Sequence, residues 1–217
     1  MKNLFKFIGH YWKAVIAIVA ILAVQAYCDL SLPAYTSDIV NVGIQQGGIE
    51  DKVPAAISEE EWNKVMLFVS QKDQDTVKDA YEKDESSYDK TAFVLKDFVK
   101  EDETALKKVE DVLALPMMVT SGFESGSKQT QKMEKKLKKQ IPKEMLTEDT
   151  TVFDILQMMP QESREELVKE IKKEMKDMPD MILEQAAVSY AKTAYQDLGM
   201  DVDQMQYHYL FTTGGKM

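Results

Sequence analysis

The sequence has little of what most enzymes and disulfide-built domains rely on. Its single cysteine, Cys28, excludes any disulfide within the chain. That speaks against the stapled style of eukaryotic secreted domains and leaves a hydrophobic core to hold an outer domain together. There are only two histidines, His10 and His208, at opposite ends. With so few soft ligands, no zinc site of the usual spacing can be assembled. Gly122 and Gly126 have three residues between them, and Ser127 precedes Lys128. A phosphate loop needs four residues there, with lysine directly after the second glycine. Asp73 and Asp75, like Asp201 and Asp203, lack the glycine and distal glutamate of a calcium loop. Carboxylate neighbours such as Glu165 and Glu166 are too common in this chain to mark an acid–base pair. No catalytic, cofactor-binding or metal-ligating residue is assigned, and the chain alone is not expected to be an enzyme.

Long apolar runs are scarce as well: there is one, Ala14 to Cys28, and it carries no charge. All acidic residues but Asp29 and Asp38 fall between positions 50 and 210, giving 35 acidic against 23 basic side chains in that stretch. Positive charge alone precedes the apolar run, from Lys2, Lys6 and Lys13. An acidic surface repels phosphate backbones, so no nucleic-acid partner is expected. It also repels anionic headgroups, so the acidic part should stand off a membrane.

Fifteen residues at 1.5 Å each reach only ~22 Å, short of the ~30 Å hydrocarbon layer. Continuing through Leu30, Leu32, Pro33 and Tyr35 gives a transmembrane helix over 14–35. Tyr11 and Trp12 suit an inner aromatic belt, and the flanking charges place the N-terminus inside, in the cytoplasm. Asp29 then lies about two turns from the outer end, either facing other helices or a wet cavity, or marking where the helix leaves lipid. Cleavage after Ala26 is the competing reading, because Val24-Gln25-Ala26 fits a signal-peptide pattern. Apolar character resumes beyond that point, with Leu30 and Leu32, which favours an uncleaved anchor.

Residues 50–206 read as an all-α extracellular domain of short amphipathic helices. Ser58 with Glu61, Thr151 with Asp154 and Ser163 with Glu166 fit helix-capping patterns. Trp62, Val65, Met66 and Val69 predict one helix, and Phe93 to Val99 a second. Leu106 to Leu113 predict a third, ended at Pro116. Gln71 to Lys90 predicts a loop or a fully exposed helix, and Ser121 to Ser127 a flexible connection. Lys128 to Lys139 predicts a solvated helix or arm. Leu167, Ile171 and Met175 line one face, and Asp180 starts a long helix that Gly199 ends in the left-handed conformation. The fourteen methionines fit either core filling or an adaptable apolar grip. The fold class is mainly α.

Two stretches resemble a known family. The first is Leu4 to Ile49, with Phe7-Ile-Gly-His-Tyr-Trp-Lys13 before the apolar run. After it comes Asp29-Leu-Ser-Leu-Pro-Ala-Tyr-Thr-Ser-Asp-Ile-Val-Asn-Val-Gly-Ile-Gln-Gln-Gly-Gly-Ile49. The second is Leu198-Gly-Met-Asp-Val-Asp-Gln-Met-Gln-Tyr-His-Tyr-Leu-Phe-Thr-Thr-Gly-Gly-Lys-Met217. Both resemble bacterial ABC exporters, half-transporters that fuse a permease to an ATPase, in a subset with a large helical insertion between the first two helices. The resemblance implies a cytoplasmic amphipathic elbow over 1–13, carrying Leu4, Phe5, Ile8 and Tyr11. It implies a first helix extended outside the bilayer over 36–49, and a lead-in to a second transmembrane helix over 207–217. The Walker and signature motifs of the ATPase are absent. This chain would then serve ATP-driven export only within a complete transporter, where ATP and magnesium belong to the missing domain. Its partners would be membrane lipid, the rest of its own transporter and a second half-transporter, as a heterodimer. Two alternatives remain: a free-standing, membrane-anchored extracellular binding or adaptor protein, and a secreted enzyme.

Overall fold

The computed structural model describes residues 12–50, 52–140, 150–176 and 178–214. Most of the elbow expected over 1–13 lies outside these residues. Helix α1 runs Trp12–Asp38 and continues without a break into a π-helical segment, Ile39–Gln45. The 34-residue rod has a mean hydropathy of 2.1 in its most apolar window, and none of that window is covered by the chain itself. At 1.5 Å per residue the rod is about 50 Å long, against ~30 Å of hydrocarbon. It is long and apolar enough to cross a membrane with about a third of its length to spare. Pro33 lies within it, and Thr36 Oγ1 donates to the Leu32 carbonyl at 2.8 Å one turn on. Asp29 and Cys28 sit on the rod surface, uncovered by the rest of the chain.

Beyond the rod the chain is mainly helical, as the periodicity predicts, but it also contains a small sheet. Strands β1 (Ala56–Ser58), β2 (Tyr81–Asp84) and β3 (Ala92–Leu95) pair antiparallel in the order β1-β3-β2. Phe93 stands opposite both Ile57 and Lys83. Helices α2 (Glu59–Met66) and α3 (Gln71–Ala80) fill the connection from β1 to β2. After the sheet come α4 (Asp97–Glu101) and α5 (Glu103–Glu124). Then follow α6 (Lys128–Gln140), α7 (Val152–Met158), α8 (Gln161–Glu174), α9 (Asp180–Asp197) and α10 (Val202–Gly214).

Several local expectations are corrected. Gln71 to Lys90 is neither loop nor fully exposed helix: Val77, Ala80 and Tyr81 are buried, and Tyr81 opens a strand. Phe93 and Val94 belong to β3 rather than to a helix, which begins only at Asp97. Pro116 does not end its helix. A proline forfeits one N–H and crowds the preceding turn, but Pro116, Met117, Val119, Thr120 and Phe123 are all buried, so packing carries α5 through. Ser121 to Glu124 is therefore helix, and the turn is confined to Ser125–Ser127, where Gly126 has φ 63°. Ser163 lies inside α8, which starts at Gln161 after Pro160. The basic α6 is docked rather than free, through buried Leu137 and Thr130. The caps at Ser58 and Thr151 and the left-handed Gly199 (φ 75°) stand where expected.

The two largest of four apolar clusters among the described residues hold most of the core. In one, Trp62 stacks on Phe93 (centroids 4.4 Å apart) and tilts against Tyr81, with Leu95, Met117, Ala187 and Tyr190 around them. This seats α5 and α9 on one face of the sheet. The other gathers Phe68, Phe123 and Phe153 with Leu137, Ile155, Leu156 and Ile171 from α6, α7 and α8. Met117 is buried, whereas Met158 and Met181 are exposed, so the methionines serve both as filler and as surface.

Candidate functional site

Two places concentrate unusual chemistry: the neck where the rod meets the globular domain, and a half-buried ionic cluster on α2. In the neck, α10 lies antiparallel against the π-helical segment. Gln206 Nε2 donates to the Gly43 carbonyl at 2.8 Å. A Cβ on Gly43 would lie 2.5 Å from Leu210 Cδ2, a movable side-chain tip. A Cβ on Gly48 would lie 2.8 Å from the Gln206 Cα and 2.9 Å from the Met205 carbonyl oxygen, which are backbone. Glycine at 48 is also required by its φ of 79°. The wide turn is held by Gln46 N–H donating to the Asn41 carbonyl at 3.0 Å, a five-residue step. Such π turns interrupt α-helices mostly at functional places.

The chain leaves the neck pinned to α9. Ile49 packs with Val188, Ala191, Tyr195 and Val202. The Ala55 N–H donates to Tyr195 Oη at 2.7 Å, and Lys52 pairs with Glu184 at 2.7 Å. Both ends of the globular domain therefore converge on one short stretch of rod.

Between neck and α9 opens a cleft of about 320 Å³, lined by Gln45, Gln46, Gln185, Val188, Ser189 and Lys192. The Lys192 side chain lies over Gly47, whose Cβ, if present, would be 3.2 Å from the ammonium.

In the ionic cluster, the Lys64 ammonium meets three carboxylates: Glu61 at 2.6 Å, Glu124 at 3.0 Å and Glu60 at 3.1 Å. Tyr190 Oη donates to the other oxygen of Glu61 at 2.6 Å. Burial opposes the charge on Lys64, but the hydrogen bonds it donates to Glu61, Glu124 and Glu60 outweigh it and hold its pKa above the usual lysine value. Burial, reinforced by the negative Glu61, pushes the Tyr190 phenol upward, so it stays a donor. Burial also raises Glu124; Lys64 opposes the shift and the charge of Glu61 adds to it. At the edge, burial works against the Asp197 carboxylate, but hydrogen bonds from Lys90 and Ser58 win and lower its pKa.

The Glu124 shift sets a pH dependence. Its folded-state pKa lies above the ordinary 4.5, so the folded protein binds this proton more tightly than the unfolded chain does. Stability from this residue is thus lost as pH rises through that window. Glu124→Gln should melt with wild type near pH 4 and about 1–3 °C above it near pH 7.5. Thermal unfolding at the two pH values checks this; an equal difference at both would remove Glu124 as its source.

Among the described residues, no group of three His, Cys, Asp or Glu side chains is placed to hold a metal ion. His208 is on the exposed face of α10, and His10 lies outside the described residues. Asp201 caps α10 through the Asp203 and Gln204 N–H groups at 3.1 Å each. Glu165 accepts from the Gln71 N–H, a structural bridge between α8 and α3. Sequence reading missed both the neck and the cluster, since each joins residues more than a hundred positions apart. Only the Gly47–Gly48 pair and the spacing of Glu60, Glu61 and Lys64 left a local trace. No protein-family model, curated protein or solved structure matches this chain.

Proposed function

We propose that this chain is the first membrane span and the extracellular insertion of an ABC-type exporter permease subunit, contributing to ATP-driven export in the complete transporter. The observation that carries the reading is the antiparallel pairing of α10 with Ile39–Gln45, through Gln206 and Gly43. An insertion between two adjacent membrane helices must leave and return at neighbouring points, and α10 returns along the rod toward its apolar part. The resemblance of residues 4–49 and 198–217 to exporter sequences supplies the family. The rod is the membrane anchor, with the N-terminus cytoplasmic and residues 50–206 outside. The remaining transporter and a partner half-transporter pack against the apolar rod.

Two measurements test this. An antibody against residues 50–206 should detect, in native membranes, a product several times larger than 24.8 kDa. A band near that mass would favour the anchored adaptor instead. In a Cys28→Ser background, Lys169→Cys, on the exposed side of α8, should react with a membrane-impermeant maleimide on intact cells. Reaction only after lysis would reverse the orientation.

A further inference from the structure

We infer that the groove between α6 and α8 is a docking site for a cationic amphipathic peptide helix. Its floor is apolar: Met133 and Leu137 from α6, Met159 just after α7, and Leu167 from α8. Leu137 belongs to the core cluster around Phe68 and Phe123, and the other three are half-buried against that cluster. The partly exposed sides of three core-contacting residues, two of them methionines, thus fall together in one trough. Its rims are charged. Glu166, Glu170 and Glu174 line it from α8 and Lys136 from α6, all four exposed. The three glutamates recur at every fourth residue, so they stand one above the next along α8. Like charges at that spacing work against a helix. Among the described residues no ion pair relieves them; on α8 only Lys172 has one, with Asp73.

Shape and charge together narrow the occupant. A trough walled by two helices receives a third helix by its apolar stripe. Glu166 to Glu174 covers about 12 Å of α8, so a helix alongside meets the rim with cations at its own fourfold spacing. Methionine side chains adapt to varied apolar shapes, so Met133 and Met159 demand an apolar stripe rather than one sequence. The groove of about 220 Å³ is smaller than ordinary small-molecule pockets and suits side chains pressed in from above. Its acidic rim repels anionic lipid and nucleic acid. A second copy does not supply the occupant, because the chain's own lysine-rich helix, α6, has its apolar side buried through Thr130 and Leu137. Lys136 on the opposite rim gives the groove a polarity and favours one orientation of the bound helix. Neither rod nor neck contributes, so the assignment stands apart from the exporter reading.

Fluorescence anisotropy tests the inference with the full chain in nanodiscs of zwitterionic lipid and empty nanodiscs as the blank. The probe is a labelled helical peptide of leucine, alanine and lysine, about four turns long. It should bind saturably beyond the blank, and the same peptide with glutamate for lysine should not. Glu166→Gln, Glu170→Gln and Glu174→Gln together should weaken binding about tenfold. Met133→Ser should weaken it as well, and both variants should melt close to wild type. Glu82→Gln, Glu101→Gln and Glu103→Gln together remove the same charge elsewhere and should leave binding unchanged. Equal weakening by that second set would reduce the effect to overall charge and overturn the assignment. No binding beyond the blank, or equal binding of the glutamate peptide, would do the same. Dimerisation of the chain without peptide, abolished by the Glu166 set, would give the groove to a second copy instead.

Discussion

Lys64→Met is expected to destabilise the globular domain by about 3 kcal/mol, lowering its melting temperature by roughly 6–12 °C. The lysine side chain is 20% exposed and Glu61 only 10%, so water can do little for the carboxylate left behind. Glu61 would keep the Tyr190 hydroxyl but face Glu124 without a counter-charge, and Lys64 would also leave the Phe153 ring that it approaches at 5.6 Å. Removing one partner of a buried pair costs more than removing both, because the orphaned charge carries the penalty. Glu61→Gln added to Lys64→Met should therefore recover a substantial part of the loss. Thermal melts of wild type, both single variants and the double variant form the cycle. Additive effects would show that the two side chains do not act as a pair.

Gly48→Val should separate α10 from the neck, at a cost of roughly 3 kcal/mol. A β-branched residue at φ 79° is strained by itself, and its Cβ would press on the backbone of Met205 and Gln206. Neither backbone atom can move without lifting α10 away. Gly43→Ala should be mild, since only the tip of Leu210 must swing aside. Hydrogen exchange distinguishes the two. Gly48→Val should strip protection from α10 amides while α5 amides keep theirs. Undiminished protection in α10 would mean that the close approach does not hold the neck together.

The helices were legible where a cap or a breaker coincided with a periodic apolar face. Thr151 with Asp154, Pro179 before Asp180, and Gly199 fall in that class. The sheet was not legible. Its strands are three or four residues long, and all of β1 is buried, so no alternation could emerge. Pro116 misled for the complementary reason: the rule is local, while the burial that overrides it comes from residues distant in sequence. The candidate sites follow the same logic. Lys64 and Tyr190 look ordinary until folding lays α9 behind α2.

The rod and its neck also amount to a lever. A domain fastened to one end of the rod by Ile49, Gln206 and the Gly48 contact cannot stay put when the rod leans. With an arm of about 50 Å, a lean of roughly 10° about the far end sweeps the neck sideways by about 9 Å. Membrane helices commonly sit across a range wider than that. In the proposed transporter, modest reorientation within the bilayer would thus become a displacement at the neck comparable to the diameter of a helix.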